Sequence, residues 1–117
     1  MAKGSYTKIE LLEVLKQCND KLIAVDMDGT LCDGEWWGDG EQPKQRPEIV
    51  ALVTKLYRRG AHIIIYTARQ PNYYALTHAW LIANLVPFHG ICMTMKPGAD
   101  IYIDDKAIHP EEVLSLP

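Results

Sequence analysis

The sequence has few cysteines, no long apolar run and no excess of positive charge, and each shortage argues against a class of protein. The three cysteines, Cys18, Cys32 and Cys92, are widely spaced and form no C-x-x-C pair, which disfavours a disulfide framework or a zinc knuckle. No apolar run approaches ~18 residues and the N-terminus has no apolar signal core, so we expect neither a membrane span nor export. The net charge of −3 argues against general nucleic-acid binding. A reduced, cytoplasmic setting fits these features.

What is present is enough for one compact unit. The 117 residues are 48% hydrophobic and 23% charged, which is typical of a globular domain. A chain of this size buries roughly 65% of its unfolded surface and can fold without metals or disulfides, so a bound metal is expected to be catalytic. Because no repeat, low-complexity tract or composition break is visible, residues 1–117 are interpreted as a single domain.

Three stretches have helical periodicity. Apolar residues at helical spacing predict a first amphipathic helix near residues 6–17. A second helix is predicted to begin at Pro47 and to stop at Gly60. Pro71 is predicted to open a third helix that runs to about Leu85.

Short apolar runs alternate with these helices. They predict strands at residues 21–25, 61–66, 91–94 and 100–103, with the first at the centre of the sheet. Residues 33–46, dense in Gly, Asp and Glu, are interpreted as a loop or small hairpin that forms a flap, and Pro110 can start a terminal helical turn. The alternation predicts a doubly wound, Rossmann-like α/β fold, with a mainly parallel sheet and helices on both faces.

Acidic residues follow the first and last predicted strands, at the sheet edge where ligands bind in such folds. Asp26 and Asp28 end the first strand, and Gly29 lets the backbone turn sharply. Asp104 and Asp105 end the last one. Buried carboxylates need a cation or hydrogen-bonding partners, and a hard divalent ion such as Mg²⁺ suits this set of oxygens. The expected metal ligands are therefore Asp26, Asp28, through its carbonyl, Asp105 and Asp104.

The residue types at these strand ends suit phosphoryl transfer, which requires mainly positioning and charge stabilisation from a protein. Asp26 can attack phosphorus as a carboxylate nucleophile. Asp28 can protonate the leaving oxygen and then deprotonate water. Thr67 offers a hydroxyl and an N–H to phosphoryl oxygens, and Lys96 offers a compact positive charge. Arg69 either binds the substrate phosphate or pairs with a surface carboxylate.

These segments resemble the four motifs of the haloacid-dehalogenase-like (HAD) phosphatases, in the family's order. Residues 26–30 (Asp-Met-Asp-Gly-Thr) resemble motif I, residues 63–69 motif II, Lys96 motif III and residues 101–105 motif IV. The resemblance spans residues 21–106. It implies a Mg²⁺-dependent phosphatase that works through an aspartyl-phosphate.

The resemblance also implies individual roles. Asp26 would be the nucleophile, Asp28 the acid and base, and Thr67 and Lys96 the phosphate binders. The second position of motif IV holds the metal in the family, which makes Asp105 the first choice as ligand and leaves Asp104 as an outer or alternative ligand. The short spacing from the lysine to the acidic pair is similar to that of the 5'-deoxyribonucleotidase branch.

One departure from the family is the missing cap domain. The chain has only the 33–46 flap in one cap position and a single helix in the other. An open site is expected, shaped by the flap or by a second subunit, because capless relatives either take large substrates or form homo-oligomers. Trp36 and Trp37 in the flap either stack on a substrate base or sugar or pack under the flap.

Three functions remain open from the sequence, besides a catalytically idle binding module on the same fold, which the presence of every expected catalytic residue type disfavours. The first is hydrolysis of a small phosphomonoester, with nucleotides ranked ahead of sugar phosphates. The second is a polynucleotide-end phosphatase, which an open site would permit and the acidic balance disfavours. The third is a phospho-accepting receiver-like domain, although receivers place the acidic pair and the phosphorylated aspartate in the opposite order along the chain.

Overall fold

A computed structural model describes residues 8–34 and 43–104 of the chain. The helices within these ranges are α1 (Lys8–Gln17), α2 (Pro47–Arg58) and α3 (Tyr74–Ala83). The strands are β1 (Leu22–Asp26), β2 (His62–Thr67), β3 (Gly90–Met93) and β4 (Ile101–Ile103). No helix of this described part has the length and apolar character needed to cross a membrane. The predicted turn at Pro110 lies outside the described residues.

Helix boundaries largely follow the local sequence signals. Pro47 begins α2, and the chain leaves that helix at Gly60, which has a φ of +93° and whose N–H donates to the Tyr57 carbonyl at 3.0 Å. The third helix differs from its prediction at both ends. Pro71 opens a 3₁₀ turn rather than an α-helix, and α3 ends at Ala83 because Leu85 turns the backbone into the left-handed region, with a φ of +57°.

The four strands form one all-parallel sheet in the order β3-β2-β1-β4, which confirms the predicted α/β fold class. In β1, Asp26 pairs with Tyr66 of β2 on one side, and Val25 pairs with Ile103 of β4 on the other. The crossovers through α2 and α3 build the sheet outward from β1. Residues 94–100 contain no helix and return the chain past β2 and β1 to the opposite side.

Strand β1 is the centre of the core. Ile23, Ala24 and Val25 are completely buried, and since successive side chains of a strand point to opposite faces, both faces of β1 are covered. Helices α1 and α2 contribute buried leucines to the same cluster: Leu11, Leu15, Leu52 and Leu56. The packing therefore fixes β1, and with it the position of Asp26.

Candidate active site

The predicted site residues of three strands meet at the carboxyl edge of the sheet. Asp26 is the last residue of β1, Thr67 is the last residue of β2, and Asp104 directly follows β4. Val25 of β1 and Ile103 of β4 are paired, and Asp26 and Asp104 are the residues that directly follow them. The two aspartates therefore lie side by side at the ends of neighbouring strands. Both aspartates are half-buried, and Thr67 is buried. Two acidic groups and a hydroxyl therefore share one end of the sheet.

The chain leaves β1 through a tight turn built on the Met27 carbonyl. This carbonyl accepts three backbone N–H groups, those of Thr30, Leu31 and Cys32. Gly29 has a φ of +86°, a conformation that glycine adopts without strain, and its N–H donates to the Cys32 carbonyl at 2.8 Å. The turn holds Asp28 beside the end of β2.

Asp28 is bound by two residues of the segment after β2. The Thr67 hydroxyl donates to Asp28 Oδ2 at 3.0 Å and accepts the Arg69 N–H at 3.2 Å. Arg69 Nε lies 2.9 Å from Oδ2, and its Nη2 contacts Oδ1, so the guanidinium grips both carboxylate oxygens. The Arg69 side chain is 9% exposed and that of Asp28 is 33% exposed. The partner of Arg69 is thus a carboxylate of the candidate site itself.

Thr77 belongs to this network and was not identified from the sequence. It is completely buried in α3, and its hydroxyl lies 3.5 Å from Arg69 Nη1. Trp80 and Leu81, three and four residues further on, are buried on the same helix. A polar residue at a core-facing position of an apolar helix is the signal that could have identified it.

Lys96 lies in the connection between β3 and β4, above two tyrosine rings. Its Nζ is 4.4 Å from the ring centroid of Tyr102 and 6.0 Å from that of Tyr66. Tyr66 is the in-register partner of Asp26, and in-register side chains of parallel strands share a face of the sheet. The lysine charge therefore lies on the face and at the end of the sheet where Asp26 stands.

Cys32 lies beside this network but has the chemistry of a core residue. It is completely buried, and its Sγ is 3.9 Å from Asp28 Oδ1. Burial, reinforced by the Asp28 charge, raises the pKa of the Cys32 thiol from 9.0 to about 12. The thiol therefore stays protonated at neutral pH, which argues against a nucleophilic role.

The two ends of the predicted flap are paired with each other. Asp33 donates its N–H to the Lys44 carbonyl at 3.0 Å, and Arg46 donates to the Leu31 carbonyl at 2.8 Å. The side chains of Asp33 and Arg46 approach to 3.7 Å. Residues 31–33 and 44–46 are therefore paired in antiparallel fashion, directly after the turn that carries Asp28.

Three predicted site residues lie outside the described part of the chain: Asp105, Trp36 and Trp37. Among residues 8–34 and 43–104, no three His, Cys, Asp or Glu side chains cluster closely enough to hold a metal ion. Within those ranges, three of the predicted ligands, Asp26, Asp28 and Asp104, lie at this end of the sheet.

The fold and the site define a parallel α/β protein whose acidic, hydroxyl and cationic groups meet at the carboxyl edge of the sheet. An MCSG target from Vibrio cholerae has a similar structure, with a TM-score of 0.60 and 28% identity over 83% of this chain and 89% of that chain. A conserved protein from Bacteroides thetaiotaomicron is similar with a TM-score of 0.61 and 23% identity, over 74% of this chain and 77% of that chain.

A chain of the Pnkp1/Rnl/Hen1 complex is also similar, with a TM-score of 0.57 and 18% identity over 66% of this chain and 29% of that chain. The likenesses to the Bacteroides protein and to this complex are likenesses of fold. No protein-family model matches the chain, and no curated protein matches it. The comparisons therefore support the predicted α/β fold and leave the chemistry to the residues of the site.

Proposed function

We propose that the chain is a Mg²⁺-dependent HAD-type phosphatase that hydrolyses a small phosphomonoester through an aspartyl-phosphate. The observation that supports this most is the meeting of Asp26, Asp28 and Thr67 with Lys96 at one end of a parallel sheet. A carboxylate at the end of a buried strand, with a cation on the same face, can attack a phosphoryl group whose charge is offset.

In the proposed first step, an Asp26 oxygen attacks phosphorus and the bond to the leaving oxygen breaks. Asp28, which takes up a proton from solvent once substrate has displaced its Thr67 and Arg69 donors, gives that proton to the leaving oxygen. In the second step, water attacks the phosphorus of the aspartyl-phosphate, Asp28 takes a proton from this water, and inorganic phosphate leaves. Asp26 is then restored as a carboxylate.

The contacts of Asp28 suggest how substrate prepares this residue. Thr67 and Arg69 hold its carboxylate in the present structure, and both are donors that a phosphoryl group would also use. A bound phosphoryl group would compete with Asp28 for these donors. Asp28 would then be released for proton transfer only when substrate is present.

The described residues fit a magnesium ion in their donor chemistry. Asp26 and Asp104 end neighbouring strands, and carboxylate oxygens are the ligands that Mg²⁺ prefers. Because the Asp28 carboxylate is engaged by other groups, we assign its backbone carbonyl as a ligand, together with Asp105. A bound Mg²⁺ would offset the negative charge of the phosphoryl oxygens.

The first test is hydrolysis of p-nitrophenyl phosphate with and without Mg²⁺. We expect Mg²⁺-dependent turnover by the wild type and a loss of at least about a thousandfold in Asp26→Asn, since the nucleophile is removed. Asp20→Asn is the matched control. Asp20 precedes β1 at the opposite edge of the sheet, its side chain is 86% exposed, and its φ of +62° is one that Asn tolerates.

Absence of wild-type turnover, or equal turnover by Asp26→Asn, would contradict the proposal. Stable labelling by acetyl phosphate without turnover would favour the receiver-like alternative instead. A panel of nucleotides, sugar phosphates and a 3'-phosphorylated oligonucleotide then identifies the substrate class. We expect the mononucleotides to be preferred over the oligonucleotide, because the net charge of −3 repels a polyanion.

A further inference from the structure

Two tyrosines on separate strands meet above the centre of the sheet. Tyr66 of β2 and Tyr102 of β4 are separated by β1, so their backbones lie two strand spacings apart, or about 9.5 Å. Their ring centroids are only 6.4 Å apart, in an edge-to-face arrangement with an interplanar angle of 85°. The rings therefore lean towards each other over β1, where Ala24, the partner of Tyr102, leaves them room.

The Lys96 ammonium group is placed on this pair of rings. Its distance to the Tyr102 ring, 4.4 Å, is within the range of a cation–π contact, and Tyr66 lies at the outer limit of that range at 6.0 Å. The Lys96 residue is otherwise exposed, and a long exposed side chain has many accessible rotamers. The rings restrict these rotamers to positions near the end of β1.

The Tyr102 hydroxyl also holds the backbone that follows Lys96. It donates to the Pro97 carbonyl at 2.7 Å and accepts the Ala99 N–H at 3.1 Å. Both partners lie in the loop that leads into β4. One side chain of a paired strand thus fixes the loop through its hydroxyl and the lysine side chain through its ring.

We propose that Tyr102 is a positioning residue, which acts through Lys96 by setting where its charge stands relative to Asp26. The proposal rests on the proposed function, in which Lys96 offsets the charge of the phosphoryl group. The hydroxyl and the ring make separate contributions, so they can be removed one at a time.

The kinetic test compares Tyr102→Phe with Tyr102→Leu. The phenylalanine keeps the ring and loses the two loop hydrogen bonds, and we expect kcat to fall about fivefold. The leucine loses both contributions, and we expect a fall of about twentyfold, with KM changed much less than kcat. Tyr57→Leu is the matched control: Tyr57 is a 44% exposed tyrosine of α2, and we expect its replacement to leave activity unchanged.

A double-mutant cycle separates positioning from a general structural effect. In a Lys96→Met background, Tyr102→Leu should lower the residual activity less than twofold, because the residue through which it acts is gone. An equal fold loss in both backgrounds would overturn the proposal, as would wild-type activity in Tyr102→Leu. If the wild type itself is inactive, this result contradicts the proposed function. It does not test the placement of Lys96 by Tyr102.

The placement has a readout that does not depend on activity. Protons that lie over an aromatic face experience an upfield ring-current shift in NMR spectra, so the Lys96 ε-methylene signals, assigned by their loss in Lys96→Met, should be shifted upfield in the wild type. We expect the shift to persist in Tyr102→Phe and to disappear in Tyr102→Leu. Random-coil values in the wild type would overturn the proposal whatever the enzyme does.

Discussion

The partners of Asp28 decide what this carboxylate can do at rest. Its oxygens accept hydrogen bonds from the Thr67 hydroxyl and from two nitrogens of Arg69, which is itself 9% exposed. A carboxylate with this many donors is held in one orientation. While these hydrogen bonds are present, Asp28, the acid and base of the proposed reaction, is not available for proton transfer.

Replacing Arg69 tests this contact. Arg69→Met leaves Asp28 without its bidentate partner, and we expect the free energy of unfolding to fall by ~1–3 kcal/mol, with the partial exposure of Asp28 limiting the cost. Arg69→Lys should recover part of the stability but not the two-nitrogen grip. Urea denaturation measures both, with Arg58→Met, at an exposed position of α2, as the control. A stability of Arg69→Met equal to that of the wild type would contradict the role of this ion pair.

The buried thiol of Cys32 predicts a dependence of stability on pH. Burial raises the pKa of Cys32 from 9.0 to about 12, so between these values the unfolded chain loses a thiol proton that the folded chain keeps. The unfolded state then binds fewer protons, and the free energy of unfolding must fall as pH rises from about 9 to 12.

Chemical denaturation at pH 8 and pH 10.5 measures this loss. We expect Cys32→Ala to be less stable than the wild type at pH 8, because the core loses volume, yet to lose less stability between the two pH values. Equal losses in the two proteins would show that the Cys32 thiol does not titrate on unfolding in this range. Other groups that ionise there, the Cys18 thiol among them, cancel in the comparison.

At the same scale, the sequence reveals some site residues and hides others. Asp26 and Asp28 are visible because an acidic pair after an apolar strand has few structural explanations. Thr77 and Tyr102 are hidden, because a threonine in a helix and a tyrosine in a strand are ordinary residues until their neighbours in space are known. What distinguishes them is a contact across the chain, with Arg69 in one case and with Lys96 in the other.

At the scale of the elements, the small side chain of Ala24 in β1 affects the loop that carries Lys96. Ala24 lies in β1 between Ile64 and Tyr102 and is completely buried. A small side chain at this position leaves space for the ring of Tyr102, its in-register partner, to lean over β1 towards Tyr66. The identity of this residue therefore affects the loop that carries Lys96, which belongs to a different part of the chain.

Ala24→Val tests the dependence. Extra methyl groups at a filled position force the rings apart, and we expect a loss of ~1–3 kcal/mol of stability. The upfield shift of the Lys96 methylene protons should shrink in the same variant. Ala51→Val, at an exposed position of α2, should cost only ~0.5 kcal/mol, the difference in helix propensity. A stable Ala24→Val protein with an unchanged Lys96 signal would contradict the proposed packing.

The elements themselves are well predicted by local signals, and their exceptions have local causes. Helix α2 has both of its signals, a proline at the start and a glycine beyond the end, and its bounds follow them. For the third helix the flanking prolines, Pro71 and Pro87, are the sequence signals, and neither coincides with an end of α3. The helix ends at Ala83, because Leu85 turns the backbone into the left-handed region before Pro87 is reached.

At the scale of the whole molecule, the site is a product of strand order. The sequence predicts four strands and a parallel sheet, but the neighbours of β1 are chosen by packing, since the helix-free return through residues 94–100 permits β4 to join either edge. Joining beside β1 brings Asp104 next to Asp26. Asp104 could thus be expected at the site, whereas its adjacency to Asp26 of the first strand required the fold.

The same strand order leaves one edge of β1 unpaired in the nascent polypeptide. One edge of β1 is covered by β2 soon after it is made, but its other edge stays open until β4 is made, together with Asp100 just before it, whose N–H donates to the Leu22 carbonyl at 2.8 Å. Translation of the intervening stretch takes about 4 to 15 s. Throughout that interval the most deeply buried of the described strands has an unpaired edge, which is a template for pairing with a neighbouring nascent polypeptide.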